Sequence, residues 1–167
     1  LYRKWLEKSK DIILNGSMRE FRLGIYNMVE DLEKIEVNMH EKKPRVGIVG
    51  EILIKYHPFG NNNIIEKLEA EGAEVTMPDL MGFVKYCAYN GVIKTELFKG
   101  SKFSGFVYKE ALKLFDWYEK TVVEVLKDTR YRMPCDIYEL AKNVDDILST
   151  GNQTGEGWFL TAEMVEL

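Results

Sequence analysis

Residues 45 to 77, RVGIVGEILIKYHPFGNNNIIEKLEAEGAEVTM, decide the fold. Arg45 to Gly50 is a short β-branched run with little charge, the composition of a strand covered on both faces. A loop containing Pro58 and Gly60 follows, and over residues 62–71 Ile64, Ile65 and Leu68 fall on one face of a helix. Gly72 stands just past that helix, where a left-handed residue closes the last turn, and Ala73 to Met77 reads as the next strand. Two strands joined through a helix within about 30 residues make a βαβ unit, which predicts parallel pairing.

Outward from this unit the chain reads as helix on both sides. Residues 1–14 place Leu1, Trp5, Ile12 and Ile13 on one side of a helix ended by Asn15-Gly16. Ser17 and Glu20 then form a capping-box pattern, and Phe21, Ile25, Met28, Leu32, Ile35 and Met39 repeat at helical spacing. Beyond the unit, Asp79 is placed to cap a helix with Leu80, Phe83, Val84 and Cys87 on its core face, ended by Asn90-Gly91. Residues 106–128 and the stretch after Met133-Pro134 each carry an amphipathic pattern, and Trp158 to Leu167 reads as a last helix with Leu160, Met164 and Leu167 inward. The prediction is one α/β domain: helical over 1–40, a βαβ core at 45–77, helical again over 79–167. It is helix-rich, with a small parallel, Rossmann-like sheet. Two parallel strands make too small a sheet to stand alone, so either further strands lie in the chain or the sheet continues outside it. The opening inside an apolar-periodic stretch and the close inside a helix without a stop signal read as a piece of a larger protein.

Composition narrows the function classes. The 167 residues are 46% hydrophobic and 30% charged, enough to bury a core and too apolar for disorder. Net charge is -4, and Lys and Arg are interspersed with Asp and Glu, so the basic stripe of a nucleic-acid binder is missing. No apolar run reaches the length of a membrane span, and Leu1 to Lys10 is charged where a signal peptide needs an apolar centre. The two cysteines, Cys87 and Cys135, form no C-x-x-C pair, which suits a reducing compartment and predicts a cytoplasmic location.

The loop between the first strand and its helix holds the candidate ligand residues: Glu51, Lys55, His57, Asn61, Asn62 and Asn63. A loop leaving the carboxyl end of a strand and feeding a helix N-terminus is where open α/β sheets bind ligands, and free N–H groups there favour an anion. The spacing matches neither a dinucleotide fingerprint nor a phosphate loop, and the plain alternative is that the glycines allow a tight turn while the asparagines cap. His57 suits either acid–base work or a surface position. Glu156, between two glycines, either enters a pocket or begins the last helix. Cys87 is expected as a buried thiol, and Cys135 as incidental. No nucleophile, base and orienting group occur together, so catalytic residues are unassigned, and no metal ligands are proposed.

Residues 45–79 also resemble a segment of the CoA-substrate-specific enzyme activases, proteins related to the 2-hydroxyacyl-CoA dehydratases. Thr154-Gly155-Glu156-Gly157-Trp158 and the helix after it resemble a second stretch of the same family. The resemblance covers about a third of the chain. It implies a dehydratase-like portion of a multidomain protein in which an ATPase with a [4Fe-4S] cluster drives one-electron transfer to an acyl-CoA dehydratase. ATP and the cluster are implied for that larger protein only, since this stretch carries neither a phosphate loop nor the cluster-binding cysteine motifs. The implied partners are its remaining domains and an acyl-CoA, with no nucleic acid and no membrane. The expected function is a non-catalytic part that orients an anionic, CoA-like ligand. The rival is an interaction module presenting its long helices, with no ligand at the loop.

Overall fold

A computed structural model describes residues 1–38 and 42–167. Among these, eight helices and two strands form a helix-rich α/β structure with a small parallel sheet. The chain divides into two compact units, Leu1–His40 with Phe115–Met133, and Glu41–Leu114 with Pro134–Leu167.

In the first unit, α1 (Tyr2–Asn15) and α2 (Met18–Glu33) pack on one another. The capping box forms as read: Ser17 Oγ accepts from the Glu20 N–H at 3.3 Å, and Glu20 Oε2 accepts from the Ser17 N–H at 2.7 Å. Trp5 is buried, and its indole N–H donates to Asp31. α2 stops at Glu33, earlier than the hydrophobic repeat suggests. The Tyr131 hydroxyl donates to Leu32 O at 2.7 Å, and the Arg130 guanidinium to Leu32 O and Ile35 O at 3.0 and 2.8 Å. Tertiary donors thus satisfy carbonyls that a longer helix would have used. Met39 lies outside the described residues.

In the second unit, β1 (Arg45–Gly47) pairs in parallel with β2 (Glu74–Thr76), in the register Arg45 to Glu74, Val46 to Val75 and Gly47 to Thr76. The expectation that β1 is covered on both faces is corrected: Arg45 and Gly47 are exposed and only Val46 is partly covered. With three residues and an unpaired edge, β-branching here reflects strand propensity and not depth. The connection holds two helices. α3 (Ile52–Tyr56) occupies what the sequence presents as loop, and α4 (Ile64–Ala70) follows. Gly72, at φ +89°, closes α4 as read, its N–H reaching Glu69 O and the Ala73 N–H reaching Leu68 O.

α5 (Leu80–Leu97) starts at the Asp79 cap, whose carboxylate accepts from the Gly82 N–H at 2.7 Å. It then runs through Asn90-Gly91, where the sequence suggested an end. A Cβ at Gly91 would lie 2.7 Å from the Tyr108 ring, so this glycine admits α6 (Lys102–Leu126) to the α5 backbone. Packing shifts the predicted face of α5: Phe83 meets Phe159 and Val84 is partly covered, Tyr86, Ala88, Val92 and Ile93 are buried, while Leu80 and Cys87 are exposed. The expectation of a buried Cys87 thiol is therefore corrected. α7 (Ile137–Val144) and α8 (Gly157–Glu166) complete the unit. The inward face of α8 is Trp158, Phe159 and Ala162, with Met164 exposed, because α8 packs on α7 while its Trp158 and Phe159 rings meet Phe83 and Tyr86 of α5. Tyr86 stacks on Phe159 at 4.6 Å between ring centroids, and its hydroxyl donates to Gly155 O.

Candidate functional site

The site forms where α3 meets α8. Lys55, in the last turn of α3, sends its ammonium to Glu163 of α8, 2.9 Å from Oε1 and 3.1 Å from Oε2. The two side chains are 1% and 2% exposed. A pair this deep is held by mutual attraction in a low-dielectric setting, and neither charge tolerates loss of the other. Burial nevertheless pushes the Glu163 carboxyl above its ordinary range, opposed by the Lys55 ammonium and aided by the charges of Glu156 and Asp79.

The N-terminus of α3 is capped by Glu51, which accepts from the Leu53 and Ile54 N–H groups at 3.0 and 3.1 Å. Glu156, at the start of α8, lies beside the Ile52 N–H. Its carboxyl is raised, first by burial and then by Glu51, against the lowering pull of Lys55 and the Ile52 N–H. Tyr56 donates from its hydroxyl to Pro78 O. Burial, with the charges of Asp79 and Glu163, pushes this phenol up to about 12.

The remaining loop residues build a compact turn. Asn61 is its centre: the side-chain amide donates to Ile54 O at 3.1 Å and Lys55 O at 2.9 Å, and Oδ1 accepts from the Ile64 N–H at 3.4 Å. Asn62 and Asn63 take left-handed backbone angles, φ 60° and 52°, which asparagine tolerates better than most residues. The N–H groups of Asn61, Asn62 and Asn63 donate to His57 O, Phe59 O and Pro58 O. His57 is exposed, and its Nδ1 accepts from the Gly60 N–H at 2.9 Å, which places the proton of the neutral ring on Nε2.

Of the six residues nominated from the sequence, Lys55, Asn61 and Asn63 border a cavity of about 220 Å³ behind the loop. Tyr56, Pro58, Ile65 and Met77 supply apolar lining, and Glu66 supplies a carboxylate. Glu51, His57 and Asn62 are exposed and do not line it. The backbone donors that an anion would need are engaged inside the turn, and the Lys55 charge is matched by Glu163.

Sequence reading missed Glu163, Asp79 as a source of field, and Glu66. Glu163 sits at i+4 from Phe159, and a carboxylate on that face would have stood out had the inward face of α8 been assigned correctly. Cys135 is half-buried beside the N-cap of α7, its Sγ 3.8 Å from Asp136 O. Among the described residues no cluster of His, Cys, Asp and Glu is placed to hold a metal ion, and no helix is long and apolar enough to cross a membrane. Comparison with protein-family models, curated proteins and solved structures gives no match.

Proposed function

We propose that this chain is a non-catalytic, ligand-orienting part of a protein of the activase or dehydratase-like kind that its sequence resembles. One observation carries the reading. The two resembling stretches, residues 45–79 and 154–158 with the helix beyond, lie far apart in sequence, yet Lys55 from one and Glu163 from the other form a buried ion pair. Gly47 and Leu167 meet as well, since a Cβ at Gly47 would lie 2.8 Å from Leu167 Cδ1. Two stretches that converge on one buried contact act as one device. Here that device fixes the 51–63 loop around its cavity. Charged groups are spent on holding the loop, which supports orientation of a ligand and not chemical turnover.

Two measurements test this. The purified chain should release no phosphate from ATP and convert no 2-hydroxyacyl-CoA, and backbone amides of 51–63 should exchange slowly until Lys55 or Glu163 is replaced. Turnover abolished by a single substitution in this chain, or fast exchange of that loop in the unaltered chain, would overturn the reading.

An interaction module is supported by a different observation. Phe103 and Phe106, with Val107 and Leu114, stand exposed on α6. Apolar side chains grouped in this way mark contact surfaces. Phe103→Glu should then leave the fold intact and lower self-association or partner capture in sedimentation; an unchanged profile at high concentration would remove this second reading.

A further inference from the structure

The cavity behind the 51–63 loop has room and polarity enough to name a ligand class, an inference that rests on the locked-loop reading above. Its volume of about 220 Å³ exceeds the roughly 150 Å³ of an engineered apolar cavity that takes up benzene, so one ring with a short substituent fits. Tyr56, Pro58, Ile65 and Met77 offer an apolar bed for that body.

The polar lining decides the sign of the substituent. Lys55 brings a cation already matched by Glu163, so it adds no net positive charge. Glu66 brings a carboxylate with no ion-pair partner among the described residues, and the Asn63 side chain makes no capping hydrogen bond, leaving its carbonyl open as an acceptor. The three amides of Asn61 to Asn63 are turned into the loop's own carbonyls and offer nothing to an anion. Together these leave an apolar slot with acceptors and a spare negative charge.

We propose that this cavity is a binding site for a small amine, an apolar body of about one ring bearing a protonated nitrogen that faces Glu66 and Asn63. The site selects against carboxylates and phosphates of the same size.

Three probes sharing one body and differing in charge test the assignment: benzylamine, benzyl alcohol and benzoate, titrated into the ¹⁵N-labelled chain at neutral pH. Saturable shifts should centre on Tyr56, Asn63, Ile65 and Met77, at the millimolar affinities proper to ligands of about eight or nine heavy atoms. Benzylamine should bind about two- to five-fold more tightly than benzyl alcohol, the preference one partly exposed ion pair supports, with benzoate weakest. Glu66→Gln, a surface change that leaves the fold intact, should erase the preference for the amine while benzyl alcohol binds as before. Met77→Trp should fill the cavity and abolish all three.

The proposal is overturned by tighter or equal binding of benzoate, by an amine preference that survives Glu66→Gln, by shifts scattered away from the cavity, or by silence up to about 20 mM. A silent cavity behind a slowly exchanging loop overturns the ligand assignment alone. A loop that exchanges freely overturns the locked-loop reading whatever the probes do.

Discussion

Removing one partner of the Lys55–Glu163 pair should cost far more than removing both. In Lys55→Met a carboxylate stays behind at a position 2% exposed, and in Glu163→Leu an ammonium stays behind at 1%. An uncompensated buried charge costs about 3 to 5 kcal/mol. Against a total stability of about 5 to 15 kcal/mol for a domain, each single variant should be marginal. The double variant, Lys55→Met with Glu163→Leu, replaces two desolvated charges by apolar groups of similar volume and should return to within about 1 kcal/mol of the starting protein or exceed it. Urea unfolding followed by fluorescence reads this directly, because Trp158 is fully buried on the same helix as Glu163. The pH dependence of Lys55→Met gives an independent check. Burial holds the Glu163 carboxyl above its unfolded value, so the folded state binds the proton more tightly, and this contribution is fully present below the unfolded value and lost as pH rises through the folded one. Lys55→Met should therefore regain stability as pH falls from 7 toward 5, and the double variant should not. Single variants each costing less than about 1 kcal/mol, or a double variant equal to their sum, would refute the reasoning.

Further outcomes follow from local geometry. Ser17→Ala should cost about 1 kcal/mol through loss of the capping box, measurable in urea melts of the first unit. That penalty should lessen as pH falls below the ordinary glutamate range, because the Ser17 backbone N–H and then its hydroxyl hold the Glu20 carboxyl low in the folded state, and Ser17→Ala removes only the hydroxyl's share. Gly91→Ala should destabilise by up to about 2 kcal/mol, since its Cβ meets the Tyr108 ring at 2.7 Å and overpacking outweighs the gain in helix propensity. In a Tyr108→Ala background the same change should instead stabilise, and an unchanged sign would discount the close approach. Tyr56→Phe should cost about 1 kcal/mol by orphaning Pro78 O, and an ultraviolet titration should lose one phenol ionising near 12.

What was legible in the sequence was local. The capping box, the Asp79 cap and the left-handed close at Gly72 depend on residues within a turn of each other, and the parallel pairing of β1 with β2 on a single βαβ unit of contiguous sequence. What was hidden depends on distant groups. α3 is five residues long, too short for periodicity to reveal, and Glu156, which lies beside its first N–H, comes from the far end of the chain. α5 passes through Asn90-Gly91 because Tyr108 fills the space that glycine leaves, and because Asn90 is tied to Tyr86 and Trp158. The inward face of α8 was misassigned because aliphatic spacing favoured Leu160 and Met164, whereas the α5 surface it meets is aromatic. Lys55 was singled out from the sequence for its charge, but its partner stands 108 residues on, and only the tertiary fold makes that charge an internal one.

The buried pair also has an evolutionary consequence. Positions 55 and 163 cannot drift one at a time, since every single-step replacement that removes a charge passes through a chain close to unfolding. They form a two-position character, kept whole or exchanged whole for an apolar couple, with a barrier between the two solutions that neutral change does not readily cross. Descendants of this chain should carry either both charges or neither, and the positions should covary more tightly than any exposed ion pair on the same surface.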